Sequence, residues 1–334
     1  MATALIGKDG WLFLDSDTNG AWDQYEGKRL LDAGKLEAWR EELAKRRKLM
    51  DDRGCPYRFV VGPNREMIYS EYVPAPYVKG EFTIMDQMRS LLDESVDWVD
   101  LHKLFAGRED RDDLYFKNDT HWNQLGGWVA SNEIIDSLRA AGLAIAPILA
   151  DEVARTLRSG VGDLGNKFDP PIFYPRPDGA MRAPRSKRVF DNGINNHGRI
   201  VIYENNECAG PSIVVFGDSF AGAIVYWLRE RCRRLVRAHT SSIDSEILEI
   251  EQPNAVISIN VERFLFRPPV PCDLYSIRSD INGKVQKMRE MGESVTPIDE
   301  AMAGSGNRQY AAMLNSAIAA TAPGADETPQ ISAG

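Results

Sequence analysis

Cysteine and histidine are scarce, four of each in 334 residues. Cys55, Cys208, Cys232 and Cys272 are scattered, with no CxxC among them, so neither a disulfide framework nor a zinc site is legible. The histidines (His102, His121, His197, His239) stand apart from one another and no HExxH occurs, so no metal is expected. A basic surplus is missing too. The net charge of −9 disfavours a nucleic-acid or anionic-membrane partner, and the basic run RERCRRLVR (229–237) reads as the polar face and exit of a helix. No run is long and apolar enough to span a bilayer. The opening MATALIGKDGWLFLD lacks the charged and apolar regions of a signal peptide. The chain as given is therefore expected in the cytoplasm; a leader removed from its start would place it in the periplasm. Walker A is absent. GVGDLG (160–165) matches GxGxxG, but the charged ARTLRS before it is no buried strand and NKFDPP after it cannot begin a useful helix. It is set aside as a dinucleotide site.

What is present is a hydrophobic content of 43%, enough for a substantial core. GKDGWLFL (7–14) reads as a turn and a short aromatic strand. Apolar residues at helical spacing predict helices over 28–53, 82–95 and 123–142, the last with Asn123 as its N-cap. YRFVVGPN, VDWVDL, GRIVIYE, SIVVFGD, RLVRAH and AVISIN read as strands, and an acidic helix is expected near 243–251. The alternation predicts an α/β three-layer fold around a central, mostly parallel sheet. It breaks at about 158–211, a stretch rich in Pro, Gly and Asn that reads as a loop and β insertion, a possible lid. The division expected is one domain over 1–305, then a helix-like segment and disordered tail over 306–334.

FGDSF (216–220) lies between a buried strand and a helix. Its plain reading is a glycine turn with Asp218 or Ser219 capping the helix; its chemical reading makes Ser219 a nucleophile in need of a base. Asp119 and His121 in YFKNDTHWNQLGG are two residues apart, so an extended segment projects both side chains to one side. Asp119 would then fix the tautomer of His121 and leave Nε2 free. A lone histidine at a strand end is more often structural, but Asp119, His121 and Ser219 together supply orienter, base and nucleophile. The backbone N–H of Ser219 is one candidate oxyanion donor. Asn260, at the end of AVISIN, is a second, with a turn residue as its plainer reading.

FGDSF with the upstream NDTHWNQLGG, GKDGWLF near the start, GPNREMIYSEYVP (62–74) and GDLG (162–165) resembles the SGNH-hydrolase-like domain of the alginate O-acetyltransferase (AlgJ/AlgX) family. The resemblance spans about residues 5 to 265. It implies a flavodoxin-like SGNH fold with circularly permuted motif order, Ser219 as the acyl-accepting nucleophile, His121 as base and Asp119 as the orienting acid. It also implies work on exported polysaccharide, with acetyl handed over by a membrane-bound O-acyltransferase.

The expected activity is transfer of an acetyl group through Ser219 to a carbohydrate hydroxyl, with no tightly bound cofactor and an unknown acetyl donor. A carbohydrate acetylesterase, with water as acceptor, uses the same residues. A non-catalytic glycan-binding protein on this fold is the reading from another class. Trp122, Tyr115 and Arg65 are candidate substrate contacts, as are Phe173 and Tyr174, although core packing is the commoner fate of aromatic residues.

Overall fold

In a computed structural model describing residues 3–321, the chain opens with an antiparallel ribbon of β1 (Thr3–Ile6) and β2 (Leu12–Asp15). β3 (Tyr57–Gly62) and β4 (Trp98–Asp100) follow, then a hairpin of β5 (Val153–Gly160) and β6 (Tyr174–Met181). The remaining strands are β7 (Lys187–Asp191), β8 (Ile200–Glu204), β9 (Ser212–Gly217), β10 (Arg234–Ala238) and β11 (Ala255–Val261). Seven strands form the central sheet in the order β4-β3-β11-β9-β10-β8-β7. The first five run parallel, and β8 and β7 close one edge antiparallel.

Helices of seven residues or more are α1 (Ala33–Asp51), α2 (Ile84–Ser95), α3 (Gln124–Ala140), α4 (Ala221–Leu228), α5 (Ser245–Glu251), α6 (Ile277–Glu290) and α7 (Arg308–Ala320). They cover both faces. Ile213 and Val215 of β9 pack with Ile134 of α3 and Ile224 of α4, while Val214 and Phe216 pack with Leu43, Met88, Ile247 and Leu314 on the other side. Burial on both faces is why SIVVFG and AVISINV are apolar almost without alternation. Helix starts follow local chemistry: Asp32 accepts from Lys35 N at 2.8 Å to begin α1, and Thr83 and Asp86 form a capping box for α2.

Two expectations about organisation change. The stretch read as an insertion divides: its first part completes the β5–β6 hairpin, whereas β7 and β8 belong to the central sheet. Its glycines mark turns within ordered backbone, as at Gly193 and Gly198 with φ of 72° and 87°. The segment after 305 is not an appendage, because Tyr310, Met313 and Leu314 of α7 are buried in the same cluster as Phe216. Amphipathic spacing showed a helix there but not what it packs on. The tail expected to be disordered lies, from residue 322, outside the described residues. No helix among the described residues is long and apolar enough to cross a membrane.

Candidate active site

β9 ends at Gly217, where a Cβ would lie 2.3 Å from Ile259 Cγ2, so only glycine lets β9 and β11 approach at this point. Asp218 is buried. Its Oδ1 accepts from Phe220 N at 2.9 Å and its Oδ2 from Val261 N at 2.6 Å, pinning the elbow to the end of β11. The next residue, Ser219, is exposed just before α4. There its N–H joins the positive end of the helix dipole.

The loop carrying Asp119 and His121 is held from several sides. Arg65 donates to Asp119 O at 2.6 Å and Lys117 O at 3.1 Å. Trp122 Nε1 donates to Phe220 O at 3.1 Å, tying the loop to the serine elbow. Asn123 Oδ1 accepts from Gly126 N at 3.0 Å and starts α3. Gly127 then lets α3 reach α4, because a Cβ there would be 2.6 Å from Ala223 Cβ. The result is a continuous chain of hydrogen bonds: His121 Nε2 lies 2.7 Å from Ser219 Oγ, and His121 Nδ1 lies 2.8 Å from Asp119 Oδ1. With Nδ1–H donated to the carboxylate, Nε2 accepts from the serine hydroxyl.

The hairpin insertion adds two groups that spacing did not anticipate. Arg176 Nη2 donates to Asp119 Oδ2 at 3.0 Å, its guanidinium stacked 3.8 Å over Phe116. Asp163, from the GDLG segment, accepts from Thr120 N at 2.6 Å and lies 3.7 Å from His121 Nδ1. Burial pushes the Asp119 carboxyl up, but the hydrogen bond and charge of His121, helped by Arg176, outweigh it and hold the group down at about 2. Asp119, His121 and Asp163 are close enough together to offer three ligand atoms to a metal. Both oxygens of each carboxylate already accept protein hydrogen bonds, and Arg176 brings its own positive charge to Asp119.

Several expected contacts are elsewhere. Trp122 and Tyr115 are 3% and 1% exposed and point into the core, Tyr115 donating to Pro63 O at 2.7 Å. Arg65 is 2% exposed, between Trp11 and Phe13 and the carbonyls named above. These three build the loop and offer no ligand surface; an aromatic or arginine beside a motif cannot be told from one facing a ligand by sequence. Phe173, at 65% exposure, is the aromatic of the insertion that does face solvent.

Asn260 is also displaced from its expected role. It alternates along β11 with Ile257 and Ile259 and shares the side of Val256, which packs away from α4. Its Oδ1 is buried without a hydrogen-bond partner. Asn64, overlooked within GPNRE, stands at the end of β3, where a Cβ on Gly62 would be 2.8 Å from the Phe220 ring. Its N–H donates to Glu262 Oε2 at 3.1 Å and its Oδ1 accepts from Arg263 at 3.2 Å. That leaves Nδ2 as the donor end of a fixed amide. Its signal was the one used for Asn260, an asparagine ending a parallel strand. Behind it, His102 Nε2 meets Glu262 Oε2 at 2.8 Å. Burial lowers the affinity of His102 for its proton, but the charge and hydrogen bond of Glu262, with the carboxylate of Asp100 3.6 Å from Nδ1, prevail and raise its pKa to about 9.

A parallel sheet with helices on both faces, a serine on its strand-to-helix elbow and a permuted Asp-x-His block define an SGNH-hydrolase-like α/β protein. The family described as SGNH hydrolase-like domain, acetyltransferase AlgX, matches residues 4–172, and the chain belongs to it. The general activity that goes with this family is acetyl transfer. Among solved structures, Bacillus cereus PatB1 is 16% identical with a TM-score of 0.61, covering 80% of this chain and 99% of its own. The O-acetyltransferase domain of Pseudomonas putida AlgJ is 18% identical with a TM-score of 0.51, covering 82% and 96%. A DHHW family protein from Eubacterium siraeum is 13% identical with a TM-score of 0.55, covering 79% and 95%. At these identities the structures share the fold. Comparison with curated proteins gives no match.

Proposed function

We propose that this protein is a serine O-acetyltransferase that carries acetyl through Ser219 to a carbohydrate hydroxyl. The supporting observation is the unbroken chain Asp119–His121–Ser219, with contacts of 2.8 and 2.7 Å. Ser219 Oγ attacks the carbonyl carbon of an acetyl donor while His121 Nε2 takes its proton. The tetrahedral oxyanion is met by the Ser219 N–H and by Asn64 Nδ2. Collapse breaks the bond to the donor's leaving group, which departs with the proton from His121, and leaves acetyl on Ser219. An acceptor hydroxyl then gives its proton to His121 and attacks the acyl carbon. Ser219 recovers that proton as the new ester leaves. Asp119 holds the imidazole and stabilises its charged form throughout. A membrane-bound O-acyltransferase is the proposed source of acetyl.

Ser219 is open to solvent, which favours an acetylesterase as the second reading, with water resolving the same acyl-enzyme. The complete relay weighs against a purely glycan-binding role. The deciding experiment measures acetate release from p-nitrophenyl acetate by wild type and Ser219→Ala, with and without oligosaccharides, and analyses the sugars by mass spectrometry. Serine-dependent appearance of acetylated sugar is the expected result. Serine-dependent free acetate alone would favour the esterase, and equal background rates in both proteins would overturn both readings.

A further inference from the structure

A cavity of about 510 Å³ opens between the loop after β10, the loop after β11 and the start of α6. Its position relates it to the serine elbow. β9 and β10 run parallel with Phe216 beside Ala238, so the loop after β10 and the serine elbow leave the sheet at the same end. Arg237, near the end of β10, donates to Asp218 O at 3.1 Å. Its other wall is connected as well: the guanidinium of Arg263 lies 5.0 Å from the Phe264 ring in the cavity and 5.6 Å from the ring of Phe220, which follows the serine.

The lining has a definite chemistry. Thr240, Ser241, Ser242 and Tyr275 line it with hydroxyl side chains, of which Thr240 Oγ1 accepts from Ser242 N at 3.1 Å and Tyr275 donates to Asp280, while Phe264 and Pro268 add apolar side chains. Arg267 is exposed and donates to Thr18 O at 3.4 Å, His197 packs on His239 with ring centroids 5.6 Å apart, and Asp280 accepts from Tyr275 at 2.6 Å. A phosphate or nucleotide is matched by cations that can grip it bidentately. Hydroxyls that both donate and accept, set against an aromatic and proline wall, instead match a ligand with C–H faces and hydroxyl edges. The volume is that of an ordinary small-ligand pocket.

We infer that this cavity is a binding subsite for neutral saccharide units of the acceptor, holding sugars next to the one presented to Ser219; the inference rests on the acetyl-transfer reading above. The test uses the full chain carrying Ser219→Ala, with cellotetraose, maltotetraose and chitotetraose as probes in saturation-transfer NMR. At least one neutral tetrasaccharide is expected to bind. Binding is expected to weaken at least 10-fold when Ser241→Trp or Val270→Trp fills the cavity, with circular dichroism showing each variant folded. In the background with Ser219 intact, both filling variants are expected to hydrolyse p-nitrophenyl acetate at the wild-type rate. Binding by none of the probes, or binding undiminished in both filled variants, would overturn the subsite. Sugar binding abolished by the filled variants, with no acetyl ever reaching the sugar, would keep the subsite and sink the transferase. Acetylation of sugar at equal KM in wild type and both filled variants would do the reverse.

Discussion

Arg176 and His121 divide the carboxylate of Asp119 between them: the imidazole Nδ1 holds Oδ1 at 2.8 Å and the guanidinium holds Oδ2 at 3.0 Å. Arg176 comes from β6, 57 residues along the chain from Asp119, so the hairpin insertion holds the carboxylate that holds His121. Removing the cation makes Asp119 easier to protonate. Arg176→Met is therefore expected to lower kcat/KM by about 10-fold and to move the acid limb of the pH–rate profile to higher pH, with Arg176→Lys recovering part of both. Loss of activity with the acid limb unmoved would mean that Arg176 only braces the hairpin.

Asn64 and Asn260 make opposite predictions. An oxyanion donor is worth roughly 10² to 10³ in kcat. Asn64→Ala is expected to lose about that factor in p-nitrophenyl acetate turnover, with little change in KM. Asn260 faces away from α4, so Asn260→Ala is expected to keep kcat within about 3-fold. Steady-state kinetics of the two variants decide the matter, and the reverse order would return the amide donor to Asn260.

The contact between α3 and α4 sets where His121 meets Ser219. A methyl at Gly127 would come within 2.6 Å of Ala223 Cβ and 2.8 Å of its carbonyl oxygen. Overpacking of this kind costs about 1–3 kcal/mol, so Gly127→Ala should lower the urea midpoint accordingly. Activity should fall even where the variant is fully folded, because the helices that directly follow His121 and Ser219 must separate. Unchanged stability and rate would show that the two helices can shift freely.

His102 confers an alkaline limit on stability. Its folded pKa is raised to about 9 from an ordinary 6.5, so its contribution is fully present below about 6.5 and is lost as pH rises through 9. The ceiling on that contribution is on the order of 3 kcal/mol. The wild type is expected to melt progressively lower between pH 7 and pH 9.5. His102→Gln should melt lower than wild type at pH 6 and show a flatter decline. A mutant with the same alkaline slope as wild type would assign that slope to another group.

Much of this was legible because the interactions responsible are local. Apolar runs marked β3, β9 and β11, the Asn123 cap marked α3, and Asp-x-His and Gly-Asp-Ser each carry their geometry in a few residues. The pairing of β7 and β8 with the central sheet was not legible, since β-branched residues in a short strand do not say which neighbour they will join. Arg176 was equally hidden, because nothing in a Pro-rich hairpin shows which side chain will fold back onto a carboxylate.

The sequence by itself determined the class of fold and offered Asp119, His121 and Ser219 as one candidate set, because strand and helix periods and turn chemistry act between near neighbours. Only the tertiary structure decided how they serve. It set Ser219 2.7 Å from a histidine 98 residues away, turned Trp122, Tyr115 and Arg65 inward, and put Asn260 on the side of β11 away from α4. Those outcomes depend on which faces are buried and which distant backbones touch, and burial is a property of the packed whole that no short stretch of chain contains.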